Sequence, residues 1–137
     1  MARSEKSIQN EGLVRLSAEP CSLYYRNNTG RAWQGERVIA AVGQFVKVEP
    51  NMVILREARP LKFGLPGSSD VLGVQQGRAV AVEFKTAIGR QSEQQELFER
   101  AWTIAGGIYV LARSPDTVVA QVASAMAQRS GNVSTIY

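Results

Sequence analysis

The chain of 137 residues contains no histidine. That excludes hydrolases built on a Ser-His-Asp or Cys-His pair, histidine-based nucleases and histidine-ligated zinc sites. Cys21 is the only cysteine, so no disulfide can form within the chain, which fits a reducing cytoplasm. No run of about 18 apolar residues is present, so no membrane span is expected. The N-terminal Met1-Ala2-Arg3-Ser4-Glu5-Lys6 lacks the apolar core of a signal peptide. Aspartate is scarce, with Asp70 and Asp116 the two examples. Any metal must be held by oxygen ligands, and hard oxygen ligands point to Mg²⁺ or Mn²⁺.

What remains is ordinary globular material, 45% hydrophobic and 20% charged, of a length that fits one domain over 1–137. The net charge is +4, and 12 of the 16 basic residues are arginine. Arginine pairs well with phosphate, which favours a polyanionic partner.

Periodicity predicts a helix over 4–17, with Ser4 as N-cap and Ile8, Gly12, Leu13 and Leu16 on one face. Residues 21–26 read as a strand, followed by a turn at Asn27-Asn28-Thr29-Gly30. The apolar runs 38–48 and 52–57, joined at Glu49-Pro50-Asn51, read at least in part as a hairpin, and 60–69 as a loop rich in Gly and Pro. Two strands, 70–74 and 79–85, flank Gln75-Gln76-Gly77-Arg78. A helix over 92–105 is capped by Ser92 with Gln95 three residues on, and Gly106-Gly107 ends it. A buried strand covers 108–112. Ser114-Pro115-Asp116 opens a last helix with Val118, Val119, Val122 and Met126 inward, and the tail 129–137 reads as loose. The expected fold is α/β or α+β, with a central mixed sheet flanked by helices.

The chemistry lies in Asp70-Val71-Leu72-Gly73-Val74 and Ala79-Val80-Ala81-Val82-Glu83-Phe84-Lys85. A hairpin centred between Gln76 and Gly77, with a loop of either two or four residues, sets Val74 opposite Ala79, Leu72 opposite Ala81 and Asp70 opposite Glu83. Alternation along the strand puts Lys85 on the face of Glu83. Opposed carboxylates repel unless a cation lies between them. A divalent metal, a water made nucleophilic by it and an ammonium beside them are the parts that phosphodiester hydrolysis needs. The bland alternative is a solvated strand end with Lys85 neutralising Glu83. The apolar frame of Val80, Val82 and Phe84 weighs against that.

With these residues in view, the chain resembles the virus-type replication-repair nuclease family, a branch of the Asp…Glu-x-Lys restriction-endonuclease-like nucleases. The likeness runs from about residue 4 to residue 113. It is carried by Phe63-Gly64-Leu65-Pro66-Gly67-Ser68-Ser69-Asp70, by Val82-Glu83-Phe84-Lys85-Thr86, by Gly89-Arg90, by Ser92 with Gln95 and Phe98, and by Ala105-Gly106-Gly107. Ser4-Glu5 with Ile8-Gln9, and Arg26-Asn27-Asn28-Thr29-Gly30, also match. The resemblance implies a restriction-endonuclease-like core and Mg²⁺- or Mn²⁺-dependent cutting of DNA. It implies Asp70, Glu83 and the backbone carbonyl of Phe84 as metal ligands, Lys85 as the catalytic lysine, Gln95 as the family glutamine, and Glu5 completing the metal environment. Capping alone would also explain Gln95, and a favourable place in the helix dipole would explain Glu5. Arg26, Asn27, Asn28, Lys62 and Arg90 are candidate DNA contacts, although the asparagines would also serve a turn. Residues 34–60 match least; their Arg37, Lys47, Arg56 and Arg59 suit DNA, a dimer surface or a plain hairpin equally. Trp33, Tyr24 and Tyr25 are read as core or dimer contacts before base-stacking groups. Gly107-Ile108-Tyr109 opens another nuclease signature but lacks its second half, and reads as a core strand. Small members of the family resemble Holliday-junction resolvases, which implies a homodimer and branched DNA, with flaps, ends, plain duplex or mere DNA binding as alternatives.

Overall fold

The computed structural model describes residues 3–28, 36–57, 59 and 64–130. The fold is α+β: a four-stranded mixed sheet with three flanking helices. In chain order the elements are α1 (Glu5–Ser17), β1 (Ser22–Arg26), β2 (Val71–Gln75), β3 (Arg78–Phe84), α2 (Glu93–Ile104), β4 (Ile108–Ala112) and α3 (Val118–Ser130). The strands lie side by side in sequence order. β1, β2 and β3 pair antiparallel, and β4 runs parallel to β3 after the α2 crossover. No helix among the described residues is long and apolar enough to cross a membrane.

The β2–β3 hairpin carries the register expected from sequence, with Leu72 opposite Ala81 and Val74 opposite Ala79. The loop is the two-residue one: Gln76 and Gly77 both have positive φ, at 50° and 76°, which matches the right-handed twist of the flanking strands. Gln75 and Arg78 therefore pair instead of belonging to the turn.

Alternation gives the sheet two unlike faces. Val80, Val82 and Phe84 of β3 lie on one, together with Val71 and Tyr24, and all are buried in a core with Ile8 and Leu16 of α1 and Val118, Val122 and Met126 of α3. Each such side chain contributes roughly 1.5–3 kcal/mol by leaving water. Gly12 lets α1 approach: a Cβ there would lie 2.4 Å from Cε1 of Phe84. The opposite face carries Ala81, Glu83 and Tyr109. Helix α2 covers it through Phe98, 6.4 Å from the Tyr109 ring, and Trp102, whose indole N–H donates to the Ile108 carbonyl at 2.9 Å.

Three expectations change. No ladder forms among residues 36–57: two turns, closed by Gln44 N–H to Ala41 O and Met52 N–H to Glu49 O, separate extended runs that are not paired as a hairpin. The last helix begins at Val118 because Ser114–Thr117 form a turn, in which the Ser114 hydroxyl accepts from the Asp116 amide. It runs to Ser130, so 129 and 130 are helical and not part of a loose tail. Trp33, Lys62 and residues 131–137 lie outside the described residues.

Candidate active site

The site forms where β2 begins and β3 ends. The ladder closes at Val71 and Val82, one step short of Asp70 and Glu83. Asp70 is partly exposed, and its Oδ2 accepts the Phe84 amide at 2.9 Å, so the aspartate is tied across to the strand that carries the glutamate. Glu83 is 1% exposed and sits on the α2 face. Lys85 follows on the same side, its Nζ 3.0 Å from Glu83 Oε1. Gln95 Nε2 donates to that same oxygen.

Gln95 therefore does two things at once. Its side-chain oxygen accepts the Ser92 amide at 2.9 Å while its own amide donates to the Ser92 hydroxyl at 3.3 Å, closing the capping box. With the oxygen fixed at the cap, the amide nitrogen is turned toward Glu83. The capping and functional readings of this residue are compatible.

Burial and the Asp70 charge push the Glu83 carboxyl up to about 7, against the pull of Lys85. Burial also raises Asp70; Glu5 adds to that, while the Phe84 amide, Lys85 and Arg26 oppose it. For Lys85, burial alone favours the neutral amine, but the hydrogen bond and charge of Glu83, with Glu5 and Asp70, raise it overall. Glu83 Oε2 is buried with no hydrogen-bond partner among the described residues. A buried carboxylate oxygen with a spare lone pair beside a second carboxylate is a place a cation fits.

Glu5 reaches this group through its charge, from the exposed first turn of α1. It lies one helical turn before Ile8 and two before Gly12, so the tight contact of Gly12 with Phe84 sets its position. Among the described residues no three acidic, Cys or His side chains come close enough to make a complete metal cage. Asp70 and Glu83 form a two-carboxylate site. Mg²⁺ commonly binds through one or two carboxylates with waters and substrate phosphate filling the remaining positions.

The loop before Asp70 is held from two sides. Asn27 donates its side-chain amide to Ser68 Oγ at 2.6 Å and Ser69 O at 3.0 Å, and its backbone amide to Asp70 O at 2.8 Å. Asn27 thus positions the aspartate and spends its amide on the loop. Gly67, with φ 78°, lies so close to α2 that a Cβ would meet the Gln94 carbonyl oxygen at 2.1 Å. Arg26 bonds Asn10 of α1 and acts on Asp70 by charge. Asn28 and Arg90 are exposed, on the segment after β1 and the loop before α2. Tyr24 is a core residue whose hydroxyl donates to Gln75 Oε1 at 2.6 Å, and Tyr25 is exposed.

Two contributors lie outside the motifs of the sequence. Tyr109, a plain core residue by pattern, lies near enough to Glu83 to feel its charge; burial first and that charge second push its phenol to about 12. Its oxygen accepts from Gln91 at 3.0 Å, and Gln91 donates to Glu99 at 2.8 Å. The alternation Tyr109, Leu111 is visible in the sequence, but its face is not, because the direction and neighbour of β4 stay open there. Arg113 donates to the carbonyls of Thr86 at 2.6 Å and Gly89 at 2.7 Å, fastening the loop that follows Lys85. Its place after β4 carries no motif. No family model, curated protein or solved structure matches this chain.

Proposed function

We propose that this chain is a Mg²⁺- or Mn²⁺-dependent endodeoxyribonuclease with a restriction-endonuclease-like core, hydrolysing phosphodiester bonds in branched DNA as a homodimer. The observation that carries the reading is the meeting of Asp70, Glu83 and Lys85 at one point, with Glu83 buried and one of its oxygens unpartnered among the described residues. The metal would be held by Asp70 and Glu83, with the Phe84 carbonyl as the family resemblance implies and Glu5 adding negative charge nearby. Such an ion supplies Lewis acidity toward a phosphoryl oxygen and acidifies a water.

The protein's own residues do the remainder. The Phe84 amide fixes one Asp70 oxygen, leaving the other for the ion. Gln95 and Lys85 both bind Glu83 Oε1, which orients the carboxylate with Oε2 free. Lys85, kept charged by its acidic neighbours, offers an ammonium to the negative charge that develops on the phosphate. The net charge of +4 favours a DNA partner.

The test is cleavage of labelled four-way junction, flap, duplex and single-stranded DNA with Mg²⁺ or Mn²⁺, beside Lys85→Ala. The expected result is metal-dependent nicking, strongest on the junction, with a loss of at least about 100-fold in the variant, the scale for removing one charge-stabilising donor. Preference for flaps or duplex would keep the chemistry and change the substrate. Cleavage without metal, equal activity of the variant, or no cleavage of any substrate contradicts the reading.

A further inference from the structure

Residues 36–57 are unusual for an exposed segment. They hold Ile39, Val42, Phe45, Val48, Ile54 and Leu55, all exposed, with Val42 and Phe45 as open as in an extended chain. Loops and linkers are normally polar, and segments that stay disordered are poor in β-branched and aromatic residues. This stretch has the composition of sheet strands. It is already divided by turns at Ala41–Gln44 and Glu49–Met52, with Gly43 at φ 81° and Asn51 at φ 64°. Its extended runs nevertheless pair with no strand among the described residues.

The body of the same chain has a matching bare face. Helix α2 covers the β3–β4 half of its sheet face and leaves the β1–β2 half open. Leu23 and Tyr25 of β1 and Val74 of β2 point out from that half, Leu23 69% and Tyr25 54% exposed. Contiguous bare apolar surface of this kind marks an interaction site. Both halves of an apolar contact are therefore present in one chain, and neither covers the other.

We propose that residues 36–57 are an exchanged arm, whose apolar side chains cover the open sheet face at Leu23, Tyr25 and Val74 of a second copy of this chain. A twofold axis makes the exchange reciprocal, so each arm and each open face is used once and the assembly closes at two. A specific dimer contact typically buries about 1,600 Å² in total, which is the scale the two reciprocal contacts together must reach. Arg37, Lys47 and Arg56 fall within the same arm, where charged groups take the solvated rim of an apolar contact. The arm rests on the dimer proposed above but uses none of the metal chemistry, so the arm and that chemistry fail separately: loss of cleavage leaves the arm untouched, and a monomer overturns the arm and the dimer while leaving Asp70, Glu83 and Lys85 untouched.

Two measurements test it together. Light scattering on the eluted full chain is expected to give twice the 15.0 kDa chain mass, and the double variant Val42→Ser, Phe45→Ser the single mass with an unchanged far-UV spectrum. In a Cys21→Ser background, two differently tagged chains are mixed, one carrying Phe45→Cys and the other Val74→Cys. Oxidation is expected to join one tag to the other. A monomeric wild type overturns the proposal, and so does a doubly substituted variant that remains dimeric. If that variant does not fold, the crosslink decides. Failure to join the two tags, or a Phe45→Cys, Val74→Cys chain that closes its disulfide within a single monomer, also overturns it; the latter assigns the face to the chain's own arm.

Discussion

Glu83→Gln isolates the physical tension in the site. A carboxyl that is 1% exposed and faces Asp70 titrates near 7 in the metal-free protein, against 4.5 for an ordinary glutamate. The native state therefore binds its proton more tightly than the unfolded chain does. Stability attached to this group is complete below about pH 4.5 and is lost as pH rises through about 7. At 1.36 kcal/mol per unit the ceiling is roughly 3 kcal/mol, and solvent reorganisation around the Asp70–Glu83–Lys85 group brings the expectation to about 1–3 kcal/mol. That corresponds to roughly 3–10 °C for a domain of this size. The assay is thermal unfolding in chelator between about pH 5 and pH 8. Wild type is expected to lose stability across that window, and the isosteric, uncharged Glu83→Gln variant is expected to have a flatter profile. Its absolute Tm shifts as well, since an amide replaces the carboxyl that Lys85 and Gln95 contact, so the slope is the quantity to read. Saturating Mg²⁺ is expected to reverse the wild-type slope, because the ionised carboxylates bind it. A wild-type Tm that is level or rises with pH without metal, or a variant with the wild-type slope, refutes the reasoning.

Gly12→Ala sets two effects against each other. Helix propensity favours alanine by about 1 kcal/mol, but its Cβ would lie 2.4 Å from Phe84; overpacking costs about 1–3 kcal/mol, so denaturant unfolding should show a net loss. Gln95→Ala removes half of the capping box and the donor to Glu83, and is expected to cost about 1–2 kcal/mol and to weaken Mn²⁺ binding, measured by calorimetry, whereas Gln94→Ala should do neither.

The hairpin is legible in the sequence because two signals agree. Gln76-Gly77 marks the turn, and the apolar alternation of 80, 82 and 84 fixes which side chains face the core, so the places of Asp70 and Glu83 follow. The capping of α1 and α2 is legible for a similar reason, since Ser4 and Ser92 each precede a helical stripe. The pairing of β4 is not, because a five-residue apolar strand carries no mark of its direction or neighbour, and the place of Tyr109 at the site stays hidden with it. Residues 36–57 mislead in the opposite way. Their β-prone composition suits strands, but composition does not say what a strand pairs with, and no ladder forms within the segment. Asn27, a DNA candidate by its sequence context, is engaged instead on Ser68 and Ser69, a tertiary contact beyond the reach of local pattern.

The most direct measurement is anomalous diffraction from crystals soaked in Mn²⁺. One strong peak is predicted within coordination distance of an Asp70 carboxylate oxygen and of Glu83 Oε2, lost in Asp70→Asn. Density for manganese elsewhere with none between those two side chains, or a peak that persists in the variant, would contradict a metal held by this pair.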